Sequence, residues 1–120
     1  MNAEELRDFA FTLSGTSESL PFDKNTLVFK VLDKMYLLFD LENFNFINVK
    51  CDPEIAISLR EQHSEISGAY HMSKTHWNSI ATNGSLSETF LKDQVRNSYA
   101  MVRSKLSVAQ KAELLAMEKD

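Results

Sequence analysis

The chemically versatile side chains of this sequence gather between residues 63 and 77, where His63, His71, His76 and Trp77 fall in one short stretch. An imidazole donates and accepts hydrogen bonds near neutral pH, and an indole offers a flat apolar face with one N–H donor. His71, His76 and Trp77 therefore suit a binding loop. They equally suit plain architecture, with Trp77 anchoring a core and the two histidines pinning the loop. A zinc site would need His63, His71 and His76 with Glu65 as fourth ligand, but these spacings match no zinc motif and Cys51 is the single cysteine. No metal or cofactor is expected.

A second group is cationic: Lys50, Lys74, Lys92, Arg96, Arg103 and Lys105. Lys92, Arg96 and Arg103 recur at helical spacing and share one face, where they would contact a phosphate backbone without choosing a sequence. Glu88 and Asp93 are interspersed among them, so the same face also reads as an ordinary solvated one. Catalytic patterns are weaker. The chain has no Gly-x-Ser-x-Gly elbow, and Ser98 falls on an inward helical stripe. Cys51 ends an apolar strand face, where a free cysteine behaves as a small hydrophobe. Gly15, Gly68 and Gly84 are the only glycines and form no phosphate-cradling loop. An enzyme is not expected.

Length and charge narrow the classes further. At 120 residues the chain is long enough for one core and too short for two, which predicts a single domain over 1–120. Apolar runs such as Met35 to Phe39 reach only strand length, so no membrane-spanning helix is expected. The opening MNAEELRDF is acidic and mixed, unlike a secretory leader, and one cysteine excludes an internal disulfide. Both point to a cytoplasmic protein. Net charge is −4, but residues 1–49 carry eight acids and four bases whereas residues 50–105 carry six acids and seven bases. An anion-binding surface is expected in the second half.

The elements that must position these groups are legible from periodicity. Leu6, Phe9, Ala10 and Leu13 make one face of an opening helix, with Asn2 and Glu5 as a capping box. From Glu18 to Cys51 the period becomes alternating. Leu27, Phe29 and Val31 share one strand face, as do Met35, Leu37 and Phe39, and then Ile47, Val49 and Cys51, with a short edge strand around Ser19 to Phe22. Phe44 and Phe46 fall opposite Ile47 and Val49. Asp52-Pro53 opens a helix to about His63 that buries Ile55, Ala56 and Leu59. A loop over Ser64 to Thr75 leads to a last strand near Trp77 to Ala81. Ser85 with Glu88 caps a long helix whose stripe is Leu91, Val95, Ser98, Val102 and Leu106. Ser107 with Gln110 caps the final one, with Val108, Ala112 and Leu115 inward. The order helix, strands, helix, strand, two helices predicts an α+β fold: a two-layer domain in which helices pack on an antiparallel β-meander sheet.

Five segments in order, PFDKNTLVFKV, KMYLLFD, NVKCDPE, GAYHMSKTHW and NSYAMV, fall within roughly residues 15 to 103, and together they resemble the MmcQ/YjbR family. The resemblance implies a frataxin-like (CyaY-like) fold and a double-wing DNA-binding motif, in which hairpin-like wings flank a helical surface. It thereby implies an accessory or regulatory DNA-binding protein. Lys50, Lys74, Lys92, Arg96 and Arg103 would be its positioning contacts, with His76 and Trp77 in the adjoining loop. On that expectation, Lys92→Glu with Arg96→Glu abolishes retention on duplex DNA. The chain departs from the family pattern at Asp33, Asp40 and Glu42, where the hairpins of other members carry more Gly and Lys. The rival expectation is a protein- or peptide-interaction module built on Tyr36, Phe44 and Phe46, whose exposure would leave an apolar patch. A third is a small-molecule pocket beneath the His71 to Trp77 loop. Nothing in the sequence points to a membrane partner.

Overall fold

The computed structural model describes residues 1–69 and 72–119. Helix α1 (Ala3–Ala10) is followed by strands β1 (Thr16–Ser19), β2 (Thr26–Val31), β3 (Lys34–Asp40) and β4 (Phe46–Lys50). Helix α2 (Pro53–Gln62), strands β5 (Ile66–Gly68) and β6 (Trp77–Ala81), and helices α3 (Glu88–Ser104) and α4 (Val108–Glu118) complete the chain. The six strands form one sheet in the order β1-β2-β3-β4-β6-β5, each pair antiparallel. The predicted α+β order therefore holds, with one strand more than expected.

Local chemistry sets most helix ends. In α1 the Glu5 amide donates to Asn2 Oδ1 at 2.8 Å and the Asn2 amide to Glu5 Oε1 at 3.2 Å, which is the predicted box. Asp52 caps α2 ahead of Pro53, and Ser107 with Gln110 boxes α4. The start of α3 differs: its cap is Ser87, whose Oγ accepts from the Phe90 amide at 3.0 Å. Ser85 is engaged by the Glu65 carboxylate, to which it gives both its amide and its hydroxyl.

The principal core lies between the sheet and the helices, where Leu27, Phe29, Val31, Ile47 and Val49 meet Leu91, Val95 and Val102. A smaller cluster of Val28, Leu38, Ala69 and Trp77, with Met35 and Met72 packed on it, covers the other sheet face. Other expectations change. The edge strand is Thr16–Ser19, three residues earlier than read. Strand β5 lies inside the expected loop. Ile55 faces solvent, and in α4 it is Leu114 that is buried, with Val108 and Leu115 outside.

A further change is a β-bulge. Phe29 pairs with Leu37 and Lys30 with Met35, so Tyr36 is the extra residue and the alternation of β3 slips by one. Met35 passes to the small cluster, while Tyr36 and Leu37 both enter the principal core. Tyr36 is fully buried, its Oη 2.8 Å from Thr16 Oγ1, and burial pushes its phenol far above the usual range. The apolar patch expected at Tyr36, Phe44 and Phe46 thereby loses two members. Phe44 packs edge-on against Phe39, on the helix side of the sheet, with ring centroids 5.1 Å apart. Phe46 alone remains half exposed.

Candidate nucleic-acid interface

The β4–β6 register sets Lys50 opposite Trp77, and the Cys51 amide donates to the His76 carbonyl at 2.7 Å. Lys50, His76 and Trp77, far apart in sequence, thus come together at one end of the sheet. Trp77 is only 8% exposed and belongs to the small core cluster, so its indole is an anchor and not a stacking platform. His76 is exposed beside it. Lys74 is also exposed, its methylenes lying over Gly68 on the outer strand β5. His71 lies outside the described residues. His63 caps α2 and tilts against Phe90 at 5.2 Å, and no metal-binding group of His, Cys, Asp or Glu forms among the described residues.

Arg60, which the sequence gives no special reason to single out, pins this loop. Its Nε donates to the buried Asn78 Oδ1 at 2.7 Å, and its terminal nitrogen reaches the carbonyls of Lys74 and, at 3.2 Å, Trp77. A planar fork with several donors suits three acceptors spread over two elements, as a lysine would not. Among the described residues it is this arginine that pins the loop. Cys51 is half-buried nearby, and burial pushes its thiol up, away from the thiolate form.

The three α3 cations do share a helix face, as their spacing requires, but each meets an acid. Lys92 pairs with Glu88 at 3.1 Å and Arg96 with Asp93 at 2.7 Å, and both lie over the Phe9 ring, 5.5 and 5.2 Å from its centroid. Arg103 binds Glu118 through both terminal nitrogens and touches Tyr99 Oη at 3.4 Å. These contacts tie α3 to α1 and α4. The hydrogen bonds from Arg103 hold the Glu118 carboxyl below its usual value of 4.5. Because the folded value is depressed, the pair stabilises the fold at neutral pH, and that contribution disappears as pH falls through the folded value. The difference in urea midpoint between the native protein and Glu118→Gln is therefore expected at pH 7 and should vanish in acid. A difference independent of pH would remove the ion pair as its cause.

A different set of cations is unopposed. Lys34 at the start of β3, Lys50 at the end of β4 and Lys105 at the end of α3 surround a depression of about 330 Å³ floored by Met35, Trp77 and Val102. Among the described residues none of the three lysines has a carboxylate partner. Asp33 also borders the depression, but its Oδ1 accepts from Gln110 Nε2 at 2.7 Å. Lys34 and Lys105 reach this place because the two-residue turn between β2 and β3 and the last turn of α3 end side by side.

The comparisons with known proteins bear on the same segments. A family model described as YjbR matches residues 11–101. The chain belongs to the YjbR family. Escherichia coli K12 YjbR is 30% identical over 100 residues, covering 82% of this chain and 85% of that protein. YbdF of Escherichia coli O157:H7 is 34% identical over 83 residues, covering 68% of each. Among solved structures, Deinococcus radiodurans protein DR2400, with the domain DUF419, superposes with a TM-score of 0.87 at 35% identity, over 94% of this chain and 87% of that one. A Pseudomonas syringae protein gives 0.72 at 27% identity, over 85% and 99%. Lys34, Lys50 and Trp77 lie within the YjbR segment, and Lys105 lies just beyond it. No helix of the described chain is long and apolar enough to cross a membrane.

Proposed function

We propose that this YjbR-family protein is a non-enzymatic, cytoplasmic accessory or regulatory protein that holds DNA weakly by its phosphate backbone, with Lys34, Lys50 and Lys105 as the contacts. The observation that carries the reading is the convergence of these lysines on one depression without a carboxylate partner among the described residues. An anion is attracted there without breaking an internal ion pair. Phosphate contacts of this kind fix position and carry no base identity, so binding is independent of sequence. The net charge of −4 opposes approach at long range and keeps the affinity low. Lys92, Arg96 and Arg103 contribute little, since each would have to leave an acid first.

Fluorescence anisotropy of a labelled random duplex tests this. Three phosphate contacts give a slope of log affinity against log salt of roughly −3. Lys50→Glu with Lys105→Glu is expected to abolish binding, and Lys92→Glu with Arg96→Glu to leave most of it. Flat anisotropy at low salt overturns the proposal. A protein partner would then be sought, with the half-exposed Phe46 as the first position to probe.

A further inference from the structure

The sheet face away from the helices carries a second concavity, of about 530 Å³, within the size range of small-molecule sites. Its apolar lining includes Leu38, Met35, Met72 and Phe22, with Phe39 beside them, and two aspartates, Asp23 and Asp40, supply its charge. Phe22 is 63% exposed, an unusual position for a phenylalanine that has no burial to gain. Methionine walls adapt to varied apolar shapes.

Among the described residues the charge of the lining is one-sided. Asp23 Oδ1 accepts the amides of Asn25 and Thr26 at 2.8 and 2.6 Å, and these bonds hold its carboxyl below the usual range. Asp40 Oδ1 accepts the amides of Glu42 and Asn43 at 2.8 and 2.9 Å, which leaves Oδ2 without a hydrogen bond among the described residues. The β2–β3 register pairs Thr26 with Asp40, and Thr26 Oγ1 donates to Asp23 Oδ2 at 3.0 Å, so Asp23, in the turn before β2, is bound to the residue that pairs with Asp40 at the end of β3. No cation appears among the described lining residues.

We infer that this concavity is a binding site for a small amine: an ammonium group held by Asp40 and Asp23, with an apolar body against Leu38, Met35, Met72 and Phe22. The inference is independent of DNA binding, since the site repels phosphate and shares only Met35 with the lysine-ringed depression.

Trp77 is the single tryptophan and packs in the same cluster as Leu38, Met35 and Met72, so its emission senses the site through these shared neighbours. The intact protein is titrated with phenethylammonium and hexylammonium, and with phenylacetate and hexanoate as probes of similar shape and opposite charge. Expected is a saturable change in Trp77 emission, with a raised melting temperature, for the ammonium probes alone. Asp40→Asn keeps a side-chain oxygen for the Glu42 and Asn43 amides, so the turn survives, and it should weaken binding about tenfold, the loss expected for one charge-assisted contact. An equal response to both charges, an unaltered affinity in Asp40→Asn, or no saturable change with any probe each overturns the inference.

Discussion

Replacing Ser98 by alanine is expected to lower the unfolding free energy by roughly 2–4 kcal/mol, because it strands two backbone groups at once. Ser98 is fully buried on α3; its Oγ donates to the Tyr36 carbonyl at 2.6 Å and accepts from the Lys50 amide at 2.8 Å. The direct β3–β4 register ends at Leu37 and Val49, so the hydroxyl stands one pair beyond it, at the residue that bulges from the β2–β3 pair. It bridges the two groups that an unbroken ladder would have offered to each other. Alanine leaves a buried acceptor and a half-buried donor with no partner and little room for water. Urea titration measures the loss. Ser98→Cys, with its weak S–H donor, should fall between the two. A loss under about 0.5 kcal/mol would mean that the strands close and pair without the hydroxyl. The same bond fixes the backbone of Lys50, so the alanine variant should also bind duplex DNA more weakly under conditions where it remains folded.

That wedge illustrates which parts of the molecule were legible in the sequence. Signals carried by residues a few positions apart translate directly: the boxes at Asn2 and Ser107, the Asp52-Pro53 start, and the stripe from Leu91 to Leu106. Signals that depend on a distant partner do not. Ser85 with Glu88 satisfies the local pattern for a cap, yet Glu65, twenty residues upstream, takes Ser85, and the start of α3 moves to Ser87. Strand β5 has three residues, one of them Gly68, and shows no alternation of its own; it exists because the edge of β6 offers it a ladder. The bulge at Tyr36 defeats a period-two reading by construction, since an extra residue reverses the faces on one side of it.

The candidate interface divides along the same line. Helical spacing placed Lys92, Arg96 and Arg103 on one face, but it could not show that Glu118 would arrive from α4 or that Phe9 would lie beneath two of them. Lys50 and Trp77 were singled out separately, and only the β4–β6 register makes them neighbours. Lys34 had no local mark at all. It becomes part of a site because the β2–β3 turn and the end of α3 meet at one edge of the sheet.

Leu114→Ala is expected to cost about 2–5 kcal/mol, the range for a fully buried leucine in a packed core, whereas Leu115→Ala should stay within about 0.5 kcal/mol. The sequence pattern favours Leu115, with Val108 and Ala112, as the inward stripe. In the fold Leu114 is 0% exposed, while Leu115 is 53% and Val108 86% exposed. The reason lies in the partner surface: Leu114 reaches the ground between Gly15, Val31 and Leu32, and its Cδ1 is 2.6 Å from where a Cβ on Gly15 would stand. Gly15 is held at a φ of 74°, so this site both needs glycine for its backbone and leaves the space that Leu114 fills. Urea midpoints of the two alanine variants decide the matter, and a costly Leu115→Ala beside a neutral Leu114→Ala would reverse the packing of α4. The variant also reaches the lysine-ringed depression. Gln110, one turn before Leu114, holds the Asp33 carboxylate at 2.7 Å, beside Lys34, Lys50 and Lys105. If α4 loosens, Asp33 is released to pair with those lysines, so the folded fraction of Leu114→Ala should bind duplex DNA less tightly. Leu115→Ala should bind it unchanged, and removing the acid as well, in Leu114→Ala with Asp33→Asn, should restore the affinity.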